Sequence, residues 1–341
     1  GSIYLYESTD VKVDNVVLEG VTRVGLDSSA TPGVVKGDLS DLRAGVNVML
    51  ATDAGSITVN EGEADVTYPE KVGGVTATAG DVLLAARKGD LLVNAAVTAG
   101  DDATLLASAN IKQAAAGDVK ATKGDVLAEA GAGIVMTDGA TATAGDDIRY
   151  EAKGGDAKVT GLKSTAADGT AMVKASGSIV DAGETAKDVE ASAVQLVAGG
   201  SVGQKAGDGN GPLDLKAGTV AAKAGDAGSI YLSEADGLSV GTVAAINVNR
   251  VKMDSTSPET ADGAALSGAE AGQNVKIENG VDAAGGLTVD QAVTATAGDA
   301  LLDARKGALD IKAAVTAGDD ATLLASANIE QAADGDVTAT A

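Results

Sequence analysis

The sequence predicts an all-β chain: a right-handed parallel β-helix, or solenoid, with coils of about 20–24 residues. Three observations predict it. Large core-filling side chains are nearly absent, with no Trp, no Phe and aromatics at 1% of residues. Short stretches alternate with period two between Gly-Asp or Gly-Ser corners. Finally, the chain repeats itself on a long scale.

Composition comes first because it limits the shape of the core. Apolar residues make up 45% of the chain, so a core exists, but Ala, Val, Leu and Ile must fill it. Low hydrophobicity with high charge is the signature of disorder, and only the charge is present. Small side chains fill a narrow core, and a narrow core that grows in length is the core of a solenoid. An array of β-sandwich domains, the competing all-β architecture, normally carries aromatic cores and strands at a different spacing.

The short period gives the strands. Gly124-Asp125-Val126-Leu127-Ala128-Glu129-Ala130 is typical, and Gly80-Asp81, Gly145-Asp146 and Gly228-Ser229 open similar runs. Alternation places Val126, Ala128 and Ala130 on one face and Leu127 and Glu129 on the other. Gly supplies tight corners, and Asp is expected to accept hydrogen bonds from nearby amides within them. Related corners at Asp81, Asp101, Asp125, Asp146 and Asp168 set the coil length. About fifteen coils at the strand spacing would make a rod of about 70–75 Å. Pro occurs only at 32, 69, 212 and 258, all in segments that read as corners or loops.

The long period gives the organisation. Residues 75–119 return from Val293, with Gly80 matching Gly298 and Asp101 matching Asp319 at an offset of 218. Earlier matches, Gly1 with Gly228, Arg23 with Arg250, Asp27 with Asp254 and Asn47 with Asn274, stand at 227. A nine-residue length change therefore falls between about residues 50 and 75, where a loop would tolerate it. Residues 1–341 thus read as one continuous solenoid segment holding about one and a half copies of a 218–227-residue repeat, the second beginning near 228. Such a segment is expected to be a window of a longer tandem array.

Charge and missing residue types exclude several function classes. A net charge of −24 disfavours nucleic acid and anionic membranes as partners. No apolar run approaches the ~20 residues of a membrane helix, so no membrane insertion is expected. Without Cys or His, disulfides, thiol catalysis, imidazole bases and soft-metal sites are gone. No cofactor is expected.

The coils Gly228-Ser229-Ile230-Tyr231-Leu232 and Gly80-Asp81-Val82-Leu83-Leu84 resemble those of the filamentous-haemagglutinin-like large exoproteins of bacteria. The resemblance covers essentially the whole chain. It implies a secreted or cell-surface fibre, often an adhesin, and carries over no site residue.

Candidate chemistry is sparse. The adjacent carboxylates Asp101-Asp102, Asp146-Asp147 and Asp319-Asp320 are expected to point to opposite faces and not to converge. A polysaccharide lyase would need a basic residue beside acidic calcium ligands. Arg87-Lys88 near Asp81, its copy Arg305-Lys306 near Asp299, and Arg149 with Tyr150 are the places to look. Asp208-Gly209-Asn210-Gly211 is the densest local set of oxygen ligands, which makes Asp208 and Asn210 the candidates for a weakly held Ca2+. Paired threonines such as Thr76-Ala77-Thr78 and Thr294-Ala295-Thr296 follow from strand propensity. The expected role is therefore a structural component of an extracellular or surface filament, not an enzyme. Its partner would be itself, by end-to-end association or covalent continuation. The alternatives are a module holding a surface glycan or divalent cations along one rod face and, more distantly, a lyase.

Overall fold

The structure is a computed structural model, and it describes residues 1–16, 23–31, 40–62, 74–183, 187–280 and 282–340. These residues form a parallel β-solenoid of about 11 turns and hold no helix. The count falls below fifteen, and part of the chain leaves the coils: residues 241–268, little more than one coil's worth, run outside the rod and include the antiparallel strand pair Ile246–Asn249 and Glu259–Asp262. Among the described residues no helix is long and apolar enough to cross a membrane.

In the first half each coil has three strands. Broad five-residue strands such as Val82–Ala86, Ala103–Ala107, Val126–Ala130 and Ile148–Ala152 stack in parallel. Narrow strands such as Leu91–Val93 and Ile111–Gln113 form a second, seven-stranded column. A third column contains Val75–Ala77, Val97–Ala99 and Val119–Ala121. Inward residues form one continuous core: Val82, Leu84, Val126, Ala128, Ile148 and their neighbours are fully buried. The alternation reads correctly inward, with Val126, Ala128 and Ala130 in that core. The opposite face is not solvent, however, because Leu127 and Glu129 are buried too.

The corner carboxylates act differently from the local turns the sequence suggests. Each accepts the backbone amide of the matching corner one coil later. Asn47 Oδ1 accepts from Asp81 N at 2.9 Å, Asp81 from Asp102 at 3.2 Å, Asp102 from Asp125 at 2.9 Å, Asp125 from Asp147 at 2.9 Å and Asp147 from Thr170 at 2.7 Å. The side-chain ladder thus holds coil to coil at a corner, where no strand pairing exists. Gly fits beside it because the coils approach closely. A Cβ on Gly124 would lie 2.1 Å from Asp102 Oδ1, and at another corner one on Gly225 would lie 1.9 Å from the carbonyl oxygen of Gly199.

Two long strands, Val189–Ala198 and Leu213–Lys223, each run through two columns without a corner. The phase of the coil slips there. The column of Ala103 continues through Val126, Ile148, Ala171, Val194, Val220 and Val240 to Val289 and Ile311, which are narrow strands. The identical pentapeptide Ala321–Ala325 stacks instead on Ala300–Ala304, Val275–Asn279 and Ile230–Glu234. Two copies of one sequence therefore occupy different faces of the rod.

Pro212 and Pro258 lie outside strands, as the ladder requires. Pro32, Pro69 and residues 63–73 of the length-change region lie outside the described residues.

Candidate functional site

The most elaborated surface is the outer face of the first copy's broad strands, and a hairpin from the second copy lies on it. The chain leaves the rod after Leu238–Val240, in the same column as this face, and runs back along it. The seat is polar at its edge and apolar at its centre. Asn249 N donates to Asp125 Oδ2 (2.7 Å), Asn249 Nδ2 to Asp102 Oδ1 (3.3 Å) and Ser257 Oγ to Asp102 Oδ2 (2.7 Å). Val251 N donates to Thr104 Oγ1 (3.0 Å). Val251 and Met253 pack on Met49, Ala51, Leu83 and Ala85, and Ile246 and Val248 on Leu127 and Met172. The tip reaches Tyr4, whose hydroxyl meets Ser255 Oγ at 2.7 Å.

Beside the hairpin lies an ion network in a groove lined by Arg87, Glu129, Lys153, Arg250 and Lys252 over Leu83, Ala85 and Leu106. Glu129 is buried and meets Arg149 (3.3 Å), Lys153 (3.1 Å) and Arg250 (2.7 Å). Burial alone would raise its carboxyl, but Arg250 and Lys153 outweigh burial and hold it below the usual value. Arg149 also pairs with Glu151. Asp125, under the hairpin, goes the other way: burial pushes it up to about 6, against the amides of Asn249 and Asp147.

The structure separates most of the lyase candidates. Arg87 and Asp81 sit at opposite ends of one strand, about 20 Å apart. Arg87 lies over the Tyr6 ring, 5.2 Å from its centroid, and Lys88 is exposed. Arg305 pairs with Glu278 and Asp303, and Lys306 Nζ donates to the carbonyl of Asp282. Tyr150 is a core residue, fully buried, with its hydroxyl on Gln113 Oε1 at 3.2 Å. The groove does bring Arg250 and Lys153 to a carboxylate, but Glu129's oxygens are engaged by those cations.

Asp208 is exposed in a glycine-rich turn, while Asn210 Nδ2 donates to the carbonyl of Asp181 at 3.1 Å. Asp101 and Asp146 face solvent and Asp102 and Asp147 serve the ladder, as alternation requires. Asp319 and Asp320 are a correction. With Asp299 they place carboxylate oxygens within 4.8 Å of one another, all exposed, because stacking brings a third carboxylate to the pair. Thr294, Thr316 and Thr338 stack in register, whereas Lys120 interrupts the matching run between Thr98 and Thr143.

Asp and Asn do line up in columns, at Asn47, Asp81, Asp102, Asp125 and Asp147. Such columns could hold repeated ligands, yet here each side chain accepts the next coil's amide. Sequence reading missed the hairpin. Its signal was present in residues 242–262, a long run without glycine. No protein-family model, no curated protein and no solved structure matches the chain.

Proposed function

We propose that the chain is a structural segment of an extracellular or cell-surface fibre, stalk or adhesin, and not an enzyme. The observation that supports it most is the use of polar side chains. Corner carboxylates hold coil to coil, and the ion network packs under a hairpin that ties the second copy to the first. The result is a rod braced along its length, whose charge of −24 disfavours lateral clumping. No cofactor enters this reading.

The test is antibody labelling of intact source cells, imaged by electron microscopy. Regular decoration along surface filaments is the expected result. Label confined to the cell interior or the medium, without fibres, refutes the reading. A second reading, a rod that holds an acidic glycan, draws on the groove's Arg87, Lys153, Arg250 and Lys252 in an otherwise acidic chain. Binding of a polyuronate, lost on Lys252→Glu, tests it.

A further inference from the structure

The core of the rod carries two neighbouring carboxyls whose hydrogen bonds are incomplete. Asp181 closes the narrow strand Ile179–Asp181, at the inward position that Val59, Val93 and Val159 hold in other coils. Asp188 precedes the long strand Val189–Ala198 and lies beside Asp214 of the next coil. Asp188 N donates to Asp214 O at 2.9 Å, and Asp214 N to Asp188 Oδ2 at 2.8 Å. Asp181 is 1% exposed and Asp188 is fully buried. The two side chains stand within hydrogen-bonding reach of each other.

Donors and counter-charges run short around this pair. Asp181 Oδ1 accepts from Gly183 N at 2.6 Å, but Asp188 Oδ1 is buried and accepts nothing. Thr160 lies in the corner one coil earlier, fully buried, and its Oγ1 is likewise without a partner. Backbone bonds fasten that corner against the pair: Ala182 N donates to Val159 O (2.9 Å) and Gly161 N to Lys187 O (3.0 Å). Lys187, next in the chain to Asp188, turns to the exposed carboxylate of Asp282 at 2.9 Å. Buried Glu129, by contrast, meets three cations. Two buried carboxylates without a counter-charge repel each other and forfeit their hydration. Burial, with the charge of Asp181, raises the Asp188 carboxyl accordingly.

We propose that Asp181 and Asp188 hold a divalent cation inside the rod, Ca2+ in preference to Mg2+, with the Thr160 hydroxyl as a further oxygen donor. Every donor is a hard oxygen, because the chain has no Cys and no His. Mg2+ sheds water reluctantly and needs a near-ideal octahedron, whereas Ca2+ takes carboxylate, hydroxyl and carbonyl oxygens in flexible geometry, which suits a buried corner. The cation would fasten neighbouring coils where the phase of the coil slips. This site goes beyond the fibre reading and does not rest on it.

The test is equilibrium dialysis of the full chain against radioactive Ca2+, after chelator treatment and at physiological ionic strength. One tight site per chain is expected, above weak binding by exposed carboxylates such as Asp299, Asp319 and Asp320. Asp181→Asn and Asp188→Asn each keep an acceptor for the backbone amide they serve, and each should weaken the tight site by about tenfold or more. Asp320→Asn should leave it intact. Hydrogen exchange reports the place independently. Ca2+ at about a hundred times its Kd should raise protection of the Gly183 and Asp214 amides about a hundredfold, without change at Leu309–Ile311. In chelator Asp188→Asn should gain stability, since one of two neighbouring charges is gone, which tells a folded variant that no longer binds from a misfolded one. A parent chain without a tight site overturns the proposal and leaves the pair sharing a proton. A tight site that survives both substitutions, or that is lost with Asp320→Asn, overturns it as well.

Discussion

Glu129→Ala is the most informative single change. Glu129 and Arg149 are almost wholly buried, their side chains 6% and 4% exposed. Removing one partner of a buried ion pair costs about 3–5 kcal/mol, because the charge left behind keeps its desolvation penalty. Lys153 and Arg250 are 49% and 31% exposed and recover hydration, so each adds at most about 1 kcal/mol. Arg149 keeps its nearer partner Glu151, so the loss should sit at the lower end of the buried-pair range, about 3 kcal/mol, centred on Arg149. Coils of a repeat protein do not share one unfolding transition, so the assay is native-state hydrogen exchange. Amides of Val126–Ala130 and Ile148–Ala152 should lose protection by roughly a hundredfold or more. Amides of distant Leu309–Ile311 should be unchanged. Replacing Glu129, Arg149 and Glu151 together by Leu, Met and Leu should recover most of the loss. A cost under about 1 kcal/mol for Glu129→Ala, or a triple variant as unstable as the single one, refutes the reasoning.

The remaining predictions concern titration, steric fit and one core hydroxyl. The carboxyl of Asp125 is raised to about 6 in the folded chain, above its unfolded value, so the folded state binds the proton more tightly. Its stabilising contribution is fully present below about pH 4 and is lost as pH rises through about 6. Denaturation midpoints followed across pH 4–6 should therefore fall less steeply in Asp125→Asn than in the parent. Asp188 is fully buried, and burial with the charge of Asp181 raises its carboxyl as well. In chelator, Asp188→Asn, which keeps an acceptor for Asp214 N, should raise the thermal midpoint at neutral pH and do so less at pH 4. Gly225→Ala drives a Cβ into the Gly199 carbonyl and should cost about 3 kcal/mol or more, while Gly1→Ala, with nothing within 4 Å, changes nothing in a denaturant melt. Tyr150→Phe loses one buried hydrogen bond and should cost about 1 kcal/mol by the same measurement.

Period-two alternation and Gly-Asp corners made the solenoid legible, since each residue's inward or outward direction is a local property of a strand. Val126, Ala128 and Ala130 are inward for that reason alone. The role of the corner carboxylates was half legible. Asp at a corner says that an amide is accepted, but which one depends on coil stacking, and the donor lies a whole coil away. The burial of Leu127, Glu129 and Arg149 was not legible at all, because the cover comes from residues 246–253, more than a hundred positions along the chain.

The sequence by itself determined the parallel solenoid, the coil length and the duplication, because all three follow from repeated local patterns. Only the tertiary structure decided which outward face is covered, and on which side of the rod each copy's broad strands fall. Leu127 and Val135 both point outward from their strands, yet one is buried and the other exposed. The difference lies in which column the hairpin returns along, and that is set by how the coils stack.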